Sequence, residues 1–420
     1  MIDLVEIDHK LTTPAFFATG GHHELFRQLR TIDPVHWTVG HAAKPYWSLT
    51  RHADCVRVLE DAETFSSDLG GVMPSTAKEP TPEERYRGGY GSIPTHTDPP
   101  RHLMIRRPFN KHFAAPVMAR MRQAIQNCVD SIIAEVLPRG ECDLVEDMAA
   151  QLPARLVCEM MGVPEEDRSR IRHYCAAYMG AQDPHYQIDG DEEKTMRLMQ
   201  KSLFDYMFKL AMERREDPAD DMTSLVGNIE VDGAKLSDRD VGWWCFSFVA
   251  AGLETTRNAL SCGFLELLRN PGQAERLRAD VSLAPLAAEE IVRWVTPSKH
   301  KLRIATRDCE LGGKPIRKGD WVVNWLVSAN RDDAMFEKAD IFDVGRNPNP
   351  HLSYSVGEHS CIGRHLARLE IQLMVSTVLA RMPDMRIAGD YEWLVSNNST
   401  GLKTLPVRYA PGSFDPARSS

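Results

Sequence analysis

The chain has 420 residues, and at about 150 residues per domain this length allows about three domains or one large enzyme domain. Hydrophobic residues make up 43% and charged residues 26% of the sequence, which is the composition of a folded protein and excludes a disordered chain. The formal net charge of -9 argues against a protein that binds nucleic acid by neutralising phosphates.

The first residues, the apolar runs and the cysteines indicate the cellular compartment of the protein. The first residues, MIDLVEIDHK, are partly acidic and lack the apolar core of a secretory signal, so we expect a cytoplasmic protein. The most apolar run, 241–253, is shorter than the roughly 20 residues that cross a bilayer, which predicts no membrane span. Nine scattered cysteines with no C-x-x-C pair are typical of reduced thiols.

Proline and glycine occur throughout the chain without an internal repeat, which favours one domain over 1–409 and a flexible tail over 410–420. Near the start, PYWSLTRHADCVRVL predicts a short strand followed by a helix. The segment 68–93 is rich in glycine, proline and charge and predicts a long loop. Such a loop is either a lid over a binding site or a disordered insertion.

From 100 to 269 the apolar periodicity is helical, with interruptions at 138–140, 182–193 and 215–221. Two strand-like stretches follow, KLRIATRD and the segment from Cys309, whose glycine-containing turns predict a small sheet. A last helix is expected from about 362 to 382. The predicted fold class is mainly α with minor β.

The longest predicted helix begins at Ser237 and runs to about Arg269. Its middle contains the sequence AGLETT at 251–256, where Gly252 costs about 1 kcal/mol relative to alanine. A threonine hydroxyl there can bond a carbonyl of the preceding turn and bend the helix. The pattern predicts either a groove for a small ligand or a point where two helices cross.

Cys361 immediately precedes the last helix, where unpaired N–H groups and the helix dipole favour a thiolate. This position suits a metal ligand or a nucleophile, with His359 or His365 as the base. The spacing H-x-C-x3-H also admits zinc, although no second ligand pair is evident. A buried cysteine that acts as a small hydrophobic side chain is a further reading.

The sequence YSVGEHSCIGRHLAR around Cys361 resembles the haem-binding loop of the cytochrome P450 family. Residues 251–256 resemble its oxygen-binding groove and EIVR at 290–293 its Glu-x-x-Arg motif, and the resemblance extends from about 45 to 407. It implies a single large α-rich domain with small sheets around a buried haem. Tyr354 departs from the family, which usually has phenylalanine there, and we expect the tyrosine ring to cover the same face.

The resemblance assigns roles to individual residues. Cys361 would be the axial thiolate of haem b, and Glu254 with Thr255 the acid and alcohol pair that relays protons. Gly357 and Gly363 would allow a tight turn close to the porphyrin. The haem propionates would be held by His102, Arg106, Arg303 and His359. A structural triad would be formed by Glu290, Arg293 and Arg346.

No flavin or iron-sulfur pattern is present, so the resemblance implies a ferredoxin and a ferredoxin reductase as separate electron donors. These donors would dock on a basic patch. Its expected members are Arg106, Arg107, Lys111, Arg364 and Arg368.

The resemblance implies O2 and a hydrophobic small molecule of steroid, terpenoid or fatty-chain type as substrates. The stretches FDVGRNPNPHL and RGECDLVEDMAAQLP are similar to actinobacterial members that oxidise sterol side chains and branched lipids. The pocket is expected between 68–93, the region of Ala250, 295–300 and 396–400. Lys299 and His300 near this pocket allow a substrate that carries a carboxylate or another polar group. A tailoring reaction in natural-product synthesis, on a more polar substrate, is therefore an alternative function. A haem sensor or carrier without turnover is the alternative from another class, which the Glu254–Thr255 pair disfavours.

Overall fold

A computed structural model of the chain describes residues 4–39, 44–68 and 81–412. Helices dominate these residues and the strands are short, which confirms the predicted fold class of mainly α with minor β. The α-helices of the described residues are α1 Leu4–Leu11, α2 Pro14–Ala18, α3 His22–Ile32, α4 His52–Glu60, α5 Pro82–Arg87, α6 Arg101–Asn110, α7 Ala115–Arg120, α8 Arg122–Val136, α9 Gln151–Met160, α10 Glu165–Met179, α11 Glu192–Glu216, α12 Met222–Asn228, α13 Asp238–Arg269, α14 Pro271–Ala279, α15 Ala284–Val295, α16 Leu326–Ala329 and α17 Arg364–Arg381.

Shorter elements connect these helices. A π-helix covers Val145–Ala149, and 3-10 turns cover Pro94–His96, Lys111–Phe113, Leu137–Arg139, Val281–Leu283 and Gly357–His359. The strands are β1 Val35–Thr38, β2 Tyr46–Leu49, β3 Phe65–Ser66, β4 Glu141–Asp143, β5 Glu230–Val231, β6 Ala234–Lys235, β7 His300–Ala305, β8 Cys309–Leu311, β9 Lys314–Ile316, β10 Trp321–Trp325, β11 Arg386–Ile387, β12 Glu392–Trp393, β13 Leu402–Thr404 and β14 Pro406–Arg408.

Helix α13 crosses the centre of the molecule. Its N-cap, Ser237, accepts a 3.2 Å hydrogen bond from the backbone N–H of Asp240, which satisfies one of the donors left free at a helix start. The N-terminal half packs in one apolar cluster with α10 and α11, and the C-terminal half packs in another with α8, α15 and α17. Polar side chains lie between the two clusters, at 254–258, and they mark the level of the site.

The principal sheet has the strand order β1-β2-β10-β7-β3, with β7 and β10 antiparallel. Leu302 and Ile304 of β7 enter the apolar cluster formed with the N-terminal helices. Because side chains alternate along a strand, Lys301 and Arg303 lie on the other face. The expected single small sheet is wrong in one respect: β8 and β9 form a separate hairpin, because the glycines at 312 and 313 turn the chain back on itself with positive φ.

The predicted loop 68–93 is interrupted by α5. Thr81 accepts a hydrogen bond from the N–H of Glu84, and the Glu84 carboxylate accepts one from the N–H of Thr81. This reciprocal pair is a capping box that starts a helix, so an unbroken loop was a wrong prediction. Residues 69–80 of the predicted lid and 413–420 of the predicted tail lie outside the described residues. No helix within the described ranges is long and apolar enough to cross a bilayer.

Candidate active site

One face of α13 keeps accessible surface in the interior of the protein. Ser247, Ala251 and Thr255 are partly or fully accessible, although most of their helical neighbours are buried. Their spacing of four residues places them on one side of the helix. This stripe therefore forms the wall of an internal cavity.

The middle of α13 shows the predicted threonine bond and the predicted helix crossing, while the small-ligand groove stays a prediction. The Thr255 hydroxyl donates a 2.8 Å hydrogen bond to the Ala251 carbonyl, the local bond expected of a threonine in a helix. A Cβ on Gly252 would lie 3.0 Å from Cγ2 of Val157 in α9. Gly252 thus allows two helices to approach closely, while the threonine and Ala251 face the cavity.

Glu254 and Thr255 are neighbours in sequence with different surroundings. Glu254 is buried, and burial raises the pKa of its carboxyl while the Arg257 guanidinium opposes that rise. Nη1 of Arg257 lies 3.1 Å from Oε2 of Glu254. Arg257 also lies 3.7 Å from Glu146, which pairs with Arg172 at 3.0 Å. A line of charges therefore connects the buried acid with the half-exposed Glu146.

The loop before α17 places Cys361 next to the cavity. The Cys361 N–H donates a 2.7 Å hydrogen bond to the Tyr354 carbonyl, which closes the loop. Gly357 has φ +68°, and a Cβ there would lie 2.9 Å from the carbonyl oxygen of Leu59. The expected tight turn is found at Gly357. Gly363 instead has φ -82°, and a Cβ on it would meet no protein atom within 4 Å, so open space adjoins it.

The electrostatics of Cys361 differ from the sequence-based expectation of a low pKa. Burial is the largest influence and raises the pKa of the Cys361 thiol, while the Gly363 N–H and the charges of Arg106, Lys301 and Arg364 oppose it. Helix α17 begins only at Arg364, so its dipole does not outweigh the loss of solvation. A metal ion bound to the sulfur would reverse this balance, because a coordinating thiol is deprotonated.

Four nitrogen-bearing side chains predicted as propionate partners come together. The rings of His102 and His359 stack with centroids 4.1 Å apart. Arg106 donates a hydrogen bond to the Ser360 carbonyl, and Arg303 donates one of 2.8 Å to the Leu302 carbonyl. Burial lowers the pKa of His102 to about 4 and that of Arg303 to about 10. The cluster thus combines donors and positive charge in a poorly hydrated place.

These residues fit a bound haem. Both ring nitrogens of His102 and Nε2 of His359 are buried without a hydrogen-bond partner in the described structure. Such groups are costly unless a ligand satisfies them. Asp98, an acid whose charge acts on Arg303, already accepts hydrogen bonds from the Ser66 hydroxyl and the Ser67 N–H. Two propionate carboxylates would supply the missing acceptors, with the thiol of Cys361 available for iron.

The structural triad is confirmed as a set of contacts. Arg293 donates to both oxygens of Glu290 at 2.7 and 2.8 Å, and Arg346 lies 3.1 Å from Oε2 of the same carboxylate. Arg293 also bonds the Asn330 carbonyl, and the Asn330 side chain bonds the N–H of Leu352. The triad therefore holds the segment that leads to the cysteine loop.

Tyr354 packs below the loop, with the Arg368 guanidinium 4.8 Å from its ring centroid. Its hydroxyl is buried without a partner in the described residues, and burial raises the pKa of that hydroxyl. Arg368 also bonds Glu289, with 2.9 Å between Nη2 and Oε2. Arg368 therefore shares its charge with Glu289, and its membership of the expected docking patch stays a prediction.

The rest of the basic patch borders a groove of about 460 Å³ beside the cysteine loop. Arg106 and Arg364 line it together with Ile362, while Arg107 and Lys111 are exposed nearby. The groove lies next to Ser360 and therefore within one residue of Cys361.

The zinc alternative is not supported. No three His, Cys, Asp or Glu side chains converge as metal ligands anywhere in residues 4–39, 44–68 and 81–412, so His359, Cys361 and His365 do not form such a site. Lys299 and His300, which were expected to offer a polar handle in the pocket, are both buried. The Lys299 ammonium donates to the Ser396 and Ser399 carbonyls, and the His300 ring packs on Trp325 with centroids 5.0 Å apart.

Sequence reasoning overlooked Ser298 and Lys301. Ser298 and Lys301 are partly accessible, whereas Lys299 and His300 are buried. Ser298 also forms a β-bridge with Ser399. The strand alternation that places Lys301 on the same face as Arg303 was the available signal. The predicted lining segments 295–300 and 396–400 do adjoin, because the Lys299 N–H donates to the Asn398 carbonyl at 2.8 Å.

Comparison with known proteins identifies relatives over almost the whole chain. The family model described as cytochrome P450 matches residues 45–288 and 281–383. The methyl-branched lipid omega-hydroxylase of Mycobacterium tuberculosis is 37% identical over 378 residues, covering 88% of this chain and 85% of the relative. The steroid C26-monooxygenase of Mycolicibacterium smegmatis is 32% identical over 395 residues, covering 92% and 90%.

Comparison with solved structures agrees with the sequence comparison. A Mycobacterium marinum cytochrome P450 solved in complex with pseudoionone has a TM-score of 0.86 and 33% identity, and the match covers 93% of this chain and 95% of that one.

Proposed function

The chain belongs to the cytochrome P450 family of haem-thiolate monooxygenases, and on this premise we propose that Cys361 is the axial ligand of haem b and that a hydrophobic molecule is hydroxylated above it. The observation that carries the proposal is the position of Cys361 beside the unpartnered nitrogens of His102 and His359. When bound, thiolate-ligated haem activates O2, because the sulfur donates electron density that favours O–O cleavage.

The protein side chains have separate tasks in this proposal. His102, Arg106, Arg303 and His359 hold the two propionates through charge-assisted hydrogen bonds. Thr255 faces the cavity and orients water there, and Glu254 delivers protons from its buried position. The burial that raises the pKa of Glu254 favours its proton-bearing form, which suits an acid that must donate.

We propose a substrate of steroid, terpenoid or fatty-chain type. The relatives named for methyl-branched lipid and steroid oxidation support this range. The apolar residues of α13 around Ala250 and Ala251 supply an apolar wall that suits such molecules.

We also propose that a ferredoxin, reduced by a ferredoxin reductase, docks at the groove lined by Arg106 and Arg364. Charge complementarity would raise the association rate and make it dependent on salt. The variants Lys111→Glu and Arg364→Glu should slow reduction and flatten its salt dependence, whereas Lys318→Glu, in an exposed turn, is the control. A cytoplasmic location is part of this proposal, supported by nine cysteines that are all free.

The test of the haem assignment is spectroscopic. The reduced protein with carbon monoxide should give the strongly red-shifted Soret band of thiolate ligation, and Cys361→Ser should lose that band. Cys309→Ser, a partly buried cysteine in the β8–β9 hairpin, should keep it. A Soret band at the ordinary position in the unmodified protein would refute thiolate ligation.

A further inference from the structure

Lys301 is a cation inside the protein, and among the described residues it has no carboxylate partner. Within the described residues no Asp or Glu lies at ion-pair distance from its ammonium, which donates a 2.9 Å hydrogen bond to the Ser298 hydroxyl. An ammonium removed from water is unfavourable unless an anion or several acceptors compensate it. The two hydrogens left on the ammonium are therefore available to a ligand.

The surface of Lys301 opens on the internal cavity. Burial lowers the pKa of Lys301 to about 8, so protein surrounds the side chain, yet part of its surface is still accessible. Accessible surface on a side chain that protein surrounds on most sides faces a cavity. Lys301 lies two residues before Arg303 on the same face of β7, which is the face that carries the cluster with His102 and His359.

The ammonium reaches back along the chain to Ser298, whereas Arg303 lies two residues farther along the strand. Ser298 accepts the hydrogen bond from Lys301 and lies just before β7. It forms a β-bridge with Ser399, in the segment 396–400 that was predicted to line the pocket. Arg303 follows Lys301 on the same face and donates to the Leu302 carbonyl. Strand β7 thus carries two cations on one face. Arg303 belongs to the cluster with His102 and His359, and Lys301 lies closer to Ser298.

We propose that Lys301, supported by Ser298, binds the carboxylate of an amphipathic substrate whose apolar body lies along the Ala251 face of α13. This inference rests on the proposed function, since it takes the cavity to be the substrate site. It narrows the substrate class to hydrophobic molecules that carry one carboxylate. The carboxylate accepts hydrogen bonds from the ammonium, which the Ser298 hydroxyl holds in place, and it supplies a counter-charge that no Asp or Glu of the described residues provides.

The experiment compares acids with their methyl esters. The haem-loaded enzyme is titrated with tetradecanoic acid, phytanic acid and cholan-24-oic acid and with the three esters, and the spin-state change of the Soret band gives each dissociation constant. At least one acid should bind about 10- to 100-fold more tightly than its ester, the range of a charge-assisted hydrogen bond. Lys301→Met should abolish this preference, and Lys301→Arg should retain it.

Matched variants distinguish a carboxylate site at Lys301 from a general effect of charge and from a role of Lys301 in haem binding. Lys318→Met removes a lysine from an exposed turn and should leave the preference unchanged, while Ser298→Ala should weaken it. Equal binding of acid and ester, or a panel in which neither form of any compound changes the spectrum, overturns the proposal. Loss of haem from Lys301→Met with no preference in the unmodified enzyme would assign Lys301 to a propionate instead and also overturns it.

The carbon monoxide spectrum of the same preparations tells the two proposals apart. A red-shifted Soret band without any preference for acids refutes the carboxylate site alone. A band at the ordinary position refutes the proposed haem-thiolate function itself.

Discussion

Nη1 of Arg257 lies 3.1 Å from Oε2 of Glu254, one helical turn away, and both side chains are buried in α13. Arg257 also donates to the Leu402 carbonyl at 3.1 Å, which fixes its guanidinium. The pair therefore holds an acid in a defined place beside the cavity-facing Thr255. Its position connects the interior of the protein with Glu146 near the surface.

Glu254→Gln should lower product formation by about 100-fold, because an amide cannot deliver the proton that a positioned acid supplies. Haem binding and the spin-state change on substrate binding should be preserved. The measurement is product formed per reduced nucleotide consumed, with its solvent isotope effect. Thr255→Ser, which keeps a hydroxyl, is the control and should retain most of the coupling. Undiminished turnover of Glu254→Gln would contradict the assigned role.

Arg346→Ala should reduce the free energy of unfolding by about 3 to 5 kcal/mol, because it removes one partner from a buried ion pair and leaves Glu290 less compensated. Chemical denaturation followed by tryptophan fluorescence measures this loss. Arg307→Ala is the matched control, since the Arg307–Glu63 pair is exposed and should contribute about 1 kcal/mol or less. Similar losses for the two variants would show that the triad does not anchor the cysteine loop.

Gly357→Ala should destabilise the cysteine loop by more than the roughly 1 to 2 kcal/mol that a left-handed conformation costs a non-glycine residue. The excess comes from the carbonyl of Leu59, 2.9 Å from the added Cβ. Gly313→Ala is the control, because Gly313 also has a positive φ, +77°, but nothing within 4 Å of its Cβ position. Thermal unfolding and haem retention measure both variants. Equal effects would exclude the close approach as the reason for this glycine.

Glu370→Gln should flatten the pH dependence of stability. Burial raises the pKa of the Glu370 carboxyl from 4.5 to about 8, so the folded protein holds a proton that the unfolded chain releases above about pH 4.5. The stability from this group is complete below pH 4.5 and is lost as the pH rises through 8, with a limiting slope of about 1.4 kcal/mol per pH unit. Urea unfolding at pH 5, 6, 7 and 8 measures it.

The control for this experiment is Glu337→Gln, whose side chain is 90% exposed. It should leave the slope unchanged. A wild-type slope that persists in Glu370→Gln would show that another group causes the dependence.

The sequence alone determined the features that depend on neighbouring residues. The start of α13 follows from Ser237 and Asp240, three residues apart, and the Glu290–Arg293 pair from the same spacing on a helix. The Gly357 turn and the position of Cys361 before α17 likewise lie within one short segment. Contacts of this range are encoded in the order of residues, because helical and turn geometry brings such pairs together.

The tertiary structure decided which cations face the cavity. Lys299 is turned to the Ser396 and Ser399 carbonyls, and the pairing of β7 with β10 sets the faces of His300 and Lys301, which a shift by one residue would exchange. The closeness of Val157 to Gly252 and the bond from Arg368 to Glu289 likewise join distant parts of the chain. Such contacts exist only after the helices pack, so residue spacing could not reveal them.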